Sequence, residues 1–292
     1  GINLRPLIEY AERYYEPSTA FAPRLTEGEY LSQEECDLLN KLQQATAILQ
    51  FKLESQLIAR RPDFHLEERD VLHFINYEEK RISLKGNEYD LQEFQAPTVD
   101  PAQPEQLTAE EELLLKKLLK NFQASQKLKK HIDFLLEKGS MYLSYNGNLL
   151  IHGCLPLHEN GDFKCFRLEG EAYSGRELLD LFEDHVRKSL AHPDVKEDLS
   201  TDLLWYLWVG ESSSLFGKEA MTTFERYYIS DKATHVEKKN PYYRLREEPE
   251  TISRILKNFG MDEKGHIING HTPVKEKKGE EPIKAGGKLI VI

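Results

Sequence analysis

The sequence is poor in the features that mark secreted, membrane-spanning and nucleic-acid-coating chains. Its three cysteines, Cys36, Cys154 and Cys165, are too few and too unevenly spaced for a disulfide framework or a CxxC zinc site. They read as packing residues in a reducing, cytoplasmic setting. No run of about 18 apolar residues is there to span a bilayer. The start, Gly1-Ile2-Asn3-Leu4-Arg5, has neither the basic end nor the apolar stretch of a signal peptide. Basic residues are in deficit: 39 Lys and Arg against 50 Asp and Glu give a net charge of -11, which would repel a phosphate backbone. The expected ligands are small molecules, metals or proteins, with neither nucleic acid nor membrane among them. An initiator Met is also absent, and Lys288-Leu289-Ile290-Val291-Ile292 reads as a buried strand in which the chain stops. The expectation is a piece of a longer protein.

What is present is 292 residues, 39% hydrophobic and 30% charged, with room for a substantial core and two structural units. The first part, residues 1–137, reads as mainly helical. Leu38, Leu39, Leu42, Ala45, Leu49, Leu53 and Leu57 recur at threes and fours, and Ser32 with Glu35 forms a capping box, predicting a helix from Ser32 to about Ala59. Arg60-Arg61-Pro62 ends it. A hairpin over Arg81–Leu84 and Glu88–Leu91 is expected to turn at Gly86-Asn87. A proline-marked connector, Pro97 to Pro104, then leads to a second helix capped by Thr108 and Glu111.

From residue 138 the pattern becomes mixed α/β. Met141–Tyr145 and Asn148–Ile151 are β-prone runs around Asn146-Gly147, a hairpin signal. Phe163–Leu168 suggests a strand, and a helix begins at Ser174. Leu203–Val209 is read as an aromatic strand, Thr251–Phe259 as a helix closed by Gly260, and His266–Asn269 and Lys288–Ile292 as strands. The fold class is α/β (α+β), a helical unit followed by an α/β unit.

Two segments share one design: Leu149-Leu150-Ile151-His152-Gly153 and His266-Ile267-Ile268-Asn269-Gly270-His271-Thr272-Pro273. Each delivers a histidine at the end of an apolar strand, beside a glycine that allows close backbone approach. Strand ends hold imidazoles rigidly, and neutral imidazole suits Zn, Mn or Fe. His131, His158, His185, His192, His235 and His266 are read as ordinary polar residues.

These two segments resemble the last two metal-ligand motifs of the calcineurin-like metallophosphoesterases. Phe51-Lys52-Leu53-Glu54 through Arg60-Arg61-Pro62-Asp63-Phe64, Gly139–Leu143, Trp205-Tyr206-Leu207-Trp208, Thr223–Tyr227 and Gly270–Lys275 are similar to the class III fructose-1,6-bisphosphatases. The resemblance covers nearly the whole chain. It implies a metallophosphoesterase-type β-sandwich flanked by helices, with residues 1–137 as an insertion and 138–292 as the incomplete C-terminal part of the phosphoesterase domain. It implies hydrolysis of fructose 1,6-bisphosphate in gluconeogenesis, a two-metal manganese centre with His152 and His271 as ligands, and a sugar bisphosphate as partner, with room for a homo-oligomer.

The family's further ligands come from motifs of the forms Asp-x-His, Gly-Asp-x-x-Asp-Arg-Gly and Gly-Asn-His-Asp/Glu. They are expected upstream of Gly1, together with the histidine that acts as acid, so the fragment alone is expected to be inactive. Lys275, Lys218 and Arg226 are the candidates for binding substrate phosphate, because a bisphosphate needs cations around it. The competing reading of Lys275 is a solvated run with Lys277, Lys278, Glu276, Glu280 and Glu281. Two other functions compete: a phosphoesterase acting on another phosphorylated substrate, and a non-catalytic helical interaction module.

Overall fold

The computed structural model describes residues 2–26, 28, 30–275, 277 and 279–292. Glu276 and Lys278 of the basic run lie outside them. The chain divides into two compact units, Gly1–His131 with Thr222–Val236, and Ile132–Met221 with Glu237–Ile292.

The α-helices among the described residues are α1 (Arg5–Tyr14), α2 (Gln33–Arg60), α3 (Ala109–Gln123), α4 (Gln126–Lys138), α5 (Gly175–Ala191), α6 (Leu199–Val209), α7 (Thr223–Tyr228), α8 (Tyr242–Leu245) and α9 (Pro249–Asn258). In the first unit, α2 and α3 open on the capping boxes Ser32/Glu35 and Thr108/Glu111, both complete in side-chain and backbone bonds. The buried surface of α2 is broader than one apolar stripe. It takes in Asn40, Gln44 and Lys52, while Leu39 and Leu53 are exposed, because the helix is covered on more than one side. The core gathers Tyr10, Phe21, Ile48, Phe51, Leu72, Ile82, Phe94, Phe224 and Tyr228. At its centre the Lys52 ammonium donates to Glu111 at 2.8 Å, and both side chains are fully buried. A small sheet of β1 (Ile75–Asn76), β2 (Arg81–Leu84) and β3 (Asn87–Asp90) completes the unit. Its hairpin turns at Lys85-Gly86, one residue earlier than expected, since both residues take the positive φ (50° and 79°) that a tight hairpin needs.

The second unit is built on a five-stranded sheet in the order β4 (Tyr142–Tyr145), β5 (Asn148–Ile151), β8 (His266–Asn269), β10 (Leu289–Val291), β9 (Ile283–Lys284). Its three middle strands are parallel and in register: Leu149, Ile267 and Leu289 form one row, and Ile151, Asn269 and Val291 another. Both rows face a core with Leu155, Leu179, Tyr242, Ile252, Ile255 and Leu256. The row between them, Leu150, Ile268 and Ile290, lies on the other face and is half-buried. Apart from the sheet, β6 (Phe166–Leu168) pairs with β7 (Glu171–Tyr173), so the expected strand from Phe163 begins three residues later.

The expected strand over Leu203–Val209 is part of α6. The Asp198 side chain accepts from the Ser200 and Thr201 amides and starts a helix there. Leu203, Tyr206 and Leu207 are buried at helical spacing while Trp208 is exposed, so the aromatic content imitates a strand that the period does not support. The class remains mixed α/β. Among the described residues, no helix is long and apolar enough to cross a membrane.

Candidate active site

The parallel pairing of β5 with β8 brings the two strand-end histidines together. Ile151 pairs with Asn269, so His152 and His271 leave the carboxyl ends of adjacent strands, the edge at which open α/β sheets commonly bind ligands. His271 Nδ1 lies 3.2 Å from His152 Nε2. The rings stand nearly perpendicular, at 79°, and both residues are exposed. Burial, and then the charges of His152, Lys218 and Lys239, hold the His271 imidazole below its ordinary value, which favours the neutral, ligating form.

Their position is set by backbone constraints. His271 adopts φ 64°, a left-handed conformation rare for a residue with a Cβ, which turns it back across the strand end. Gly153 is required: a Cβ there would sit 1.9 Å from the Ser214 carbonyl oxygen, to which the Cys154 amide donates at 2.8 Å. The loop after α6 thus packs flat on the turn that carries His152. Of its serines, Ser214 keeps a buried hydroxyl without a partner among the described residues, and Ser213 braces the loop. Ser213, fully buried, donates to the Leu207 carbonyl and accepts from the Leu215 and Phe216 amides.

A polar residue whose side chain makes five hydrogen bonds is one that sequence reasoning passed over. Asn269 has no exposed surface and stands in the apolar row between Ile151 and Val291. Its Nδ2 donates to the carbonyls of Ile151, His152 and Gly153, at 3.3, 3.2 and 2.6 Å. Its Oδ1 accepts from the Tyr242 hydroxyl at 3.1 Å and from Arg246 at 2.5 Å. An asparagine at the inward position of an apolar strand was the available signal, because buried polar groups are placed only where partners await them.

Lys218 is half-buried and donates to Glu237 at 2.5 Å, while Lys275 is exposed. Arg226 belongs to the helical unit, where it donates to Thr222 Oγ1 at 3.1 Å and to the His235 carbonyl at 3.0 Å. Of the histidines read as ordinary, His185 bonds Ser200 at 2.8 Å and His235 the Ile229 carbonyl at 2.8 Å.

A family model described as Firmicute fructose-1,6-bisphosphatase matches residues 1–292. The chain belongs to this family. Curated relatives named fructose-1,6-bisphosphatase class 3 agree. The protein of Lactococcus lactis subsp. cremoris is 70% identical over all of this chain and 46% of its own length. That of Streptococcus agalactiae serotype Ia is 57% identical, and that of Bacillus velezensis 54% identical, each over all of this chain and 45% of its own length. The chain therefore spans about half the length of the curated relatives it matches. No solved structure matches it.

For this fructose-1,6-bisphosphatase family member, the donor set fits part of a metal centre. Two imidazole nitrogens 3.2 Å apart match the span of two ligands on one ion at about 2.1 Å each, with an angle near about 100° between them. Among the described residues, no group of three His, Cys, Asp or Glu side chains comes together to hold an ion. The Gly-Asp-x-x-Asp-Arg-Gly and Gly-Asn-His forms are missing from the sequence, but Asp63-Phe64-His65 has the letters of Asp-x-His. It lies in the helical unit on a single 3-10 turn rather than after a strand, with His65 at φ 52°.

Proposed function

We propose that this chain carries one side of the dimetal site of a fructose 1,6-bisphosphatase, in which His152 and His271 are metal ligands and Lys218, Lys275 and Arg226 bind substrate phosphate. Fructose 1,6-bisphosphate is cleaved to fructose 6-phosphate and phosphate, a gluconeogenic step placed in the cytoplasm, and manganese is the metal assigned. Residues 1–137 serve as a helical insertion and 138–292 as part of the phosphoesterase domain. The observation that carries this reading is the pair of imidazoles, 3.2 Å apart at the carboxyl ends of adjacent parallel strands, in a member of this family.

A bound metal pair supplies charge neutralisation at the reacting phosphoryl group and a nucleophile drawn from water at neutral pH. The chain's own residues do the rest. His152 and His271 present imidazole nitrogens from a rigid strand edge, and Asn269 fixes the backbone that carries His152. Lys218 adds positive charge near His271, and Lys275 adds it near Lys239, where a bisphosphate needs it. The histidine that protonates the leaving group and the remaining ligands are assigned to sequence outside these 292 residues.

The test is phosphate release from fructose 1,6-bisphosphate by the full-length protein, stripped with EDTA and reloaded with manganese. His152→Ala and His271→Ala should each lower metal content and cut the rate by about 100-fold or more. A full-length protein with no metal-dependent release, or variants with unchanged metal content, would overturn the reading. The 292-residue chain alone should release none; full turnover by it would refute the assignment of ligands elsewhere.

A further inference from the structure

Beside the imidazole pair the fold assembles positive charge that it neutralises only in part. The segment ending the α6 loop and the segment before α8 run antiparallel, tied by the Glu219 amide to the Lys238 carbonyl at 2.9 Å and the Asn240 amide to the Gly217 carbonyl at 3.0 Å. This pairing sets Lys218 directly opposite Lys239, an arrangement of like charges that costs stability. Lys218 is relieved by Glu237. Lys239 makes no ion pair among the described residues; its ammonium lies 5.3 Å from the centre of the Tyr243 ring.

Arg246 sharpens the point. Its guanidinium lies 5.1 Å from the centre of the same ring, and the residue is only 5% exposed. It donates to neutral Asn269, has no carboxylate partner among the described residues, and leaves Nε buried without an acceptor. A buried cation without a counter-charge destabilises a chain unless an anion arrives. Burial first, and then Lys275, Arg246 and Lys218, press the Lys239 ammonium below its ordinary value, with Glu280 opposing. The cluster borders the candidate active site by two routes. Arg246 reaches the His152 carbonyl through Asn269, and Gly217 approaches so closely that a Cβ would sit 3.3 Å from Cys154 Sγ.

We propose that Lys239, with Lys218 and Lys275 beside it and Arg246 and Tyr243 behind it, forms a second phosphate subsite, which holds the non-reacting phosphate of a bisphosphate whose reacting phosphate lies at His152 and His271. This rests on the bisphosphatase reading above. The subsite takes a phosphomonoester dianion on a sugar-sized body, and it retains that group when the other phosphate has gone.

Fructose 6-phosphate, which keeps only the non-reacting phosphate, is the probe. Titrated into the full-length protein in EDTA, it should bind without metal. Lys239→Gln should weaken that binding, and raise KM for fructose 1,6-bisphosphate, by about tenfold, while Lys239→Arg keeps most of the affinity, because an exposed cation is what the ligand needs. Wild-type binding by Lys239→Gln would overturn the subsite, as would an equal loss in Lys239→Arg, which would mark a merely structural role. Failure of the bisphosphatase reading has a separate signature, the absence of metal-dependent phosphate release by the unmodified protein.

Discussion

Asn269 donates to the Gly153 carbonyl oxygen at 2.6 Å, from the end of one parallel strand to the turn that follows its neighbour. Through that bond and its companions to Ile151 and His152, a single amide sets where the His152 backbone lies. The same side chain holds Tyr242 and Arg246 from the other side, so the site and the core beneath it share one fastening.

Replacing Asn269 by Leu keeps the volume and removes every one of these bonds. The buried Arg246 guanidinium would lose its acceptor and the His152 and Gly153 carbonyls their donor, while the Ile151 carbonyl would keep the Gly270 amide at 3.3 Å. Since each stranded buried group costs about 1–3 kcal/mol, we expect a loss of about 2–4 kcal/mol, read by urea denaturation. Metal binding by the full-length protein should weaken as well. A stability change near zero would show that water replaces the amide.

The buried pair Lys52–Glu111 predicts an asymmetry. Glu111 also accepts from Tyr10 at 2.7 Å and from Thr98 at 2.7 Å, and Lys52 also donates to the Thr98 carbonyl at 2.7 Å. Lys52→Met would leave an uncompensated buried carboxylate and should cost about 3–5 kcal/mol, whereas Lys52→Met with Glu111→Leu should recover much of that. Equal losses in the single and double variants, measured by thermal melting, would mean that the pair stabilises the unit in its own right.

Much of this was legible in the sequence, and what was hidden had a common cause. The capping boxes at Ser32 and Thr108 were readable because they depend on residues three apart in the chain. The strands ending at His152 and His271 were readable because runs of Leu and Ile have few other uses. Lys52 and Asn269 were not, since a polar residue on a buried surface is explained only by partners far away in sequence, such as Glu111, Gly153 and Arg246. The facing of Lys218 and Lys239 was hidden for the same reason: it is a product of backbone pairing across 20 residues, and no local pattern announces it. Arg226 could be numbered among phosphate binders from composition alone, while its bonds to Thr222 and His235 appear only once the chain has folded.

Glu111 also fixes an acid limit. Burial pushes its carboxyl up, but hydrogen bonds from Lys52, Thr98, the Thr108 amide and Tyr10 together carry it below the ordinary value. A folded value below the unfolded one gives stability that is present above about pH 4.3 and is lost as pH falls through the folded value. The melting temperature of the wild-type chain should therefore fall in acid below about pH 4.3. In Glu111→Gln it should start lower, with Lys52 unpaired, and fall less steeply. Parallel curves for the two proteins between pH 7 and 3 would remove Glu111 from the acid limit.

The three cysteines do not share one fate, although their spacing gave them a single reading. Cys154 is 1% exposed and its thiol is pushed up to about 12 by burial, with Arg246 opposing weakly. Because the thiolate is the reactive form, Cys154 should resist alkylation at pH 8 for as long as the second unit stays folded. Cys165 is exposed and Cys36 half-buried, so neither is a core packing residue, and both are open to reagent. Labelling with a maleimide followed by peptide mapping should mark Cys165 fastest, Cys36 more slowly and Cys154 only on addition of denaturant. The Cys154 sulfur lies 3.8 Å from the Ser213 carbonyl, and a Cβ added at Gly217 would sit 3.3 Å from it, so the labelling rate of Cys154 also reports on the loop that carries Lys218. Phosphate binding at Lys239 should slow that rate further, since it tightens the same loop; acceleration by phosphate would mean that the loop opens when the anion binds.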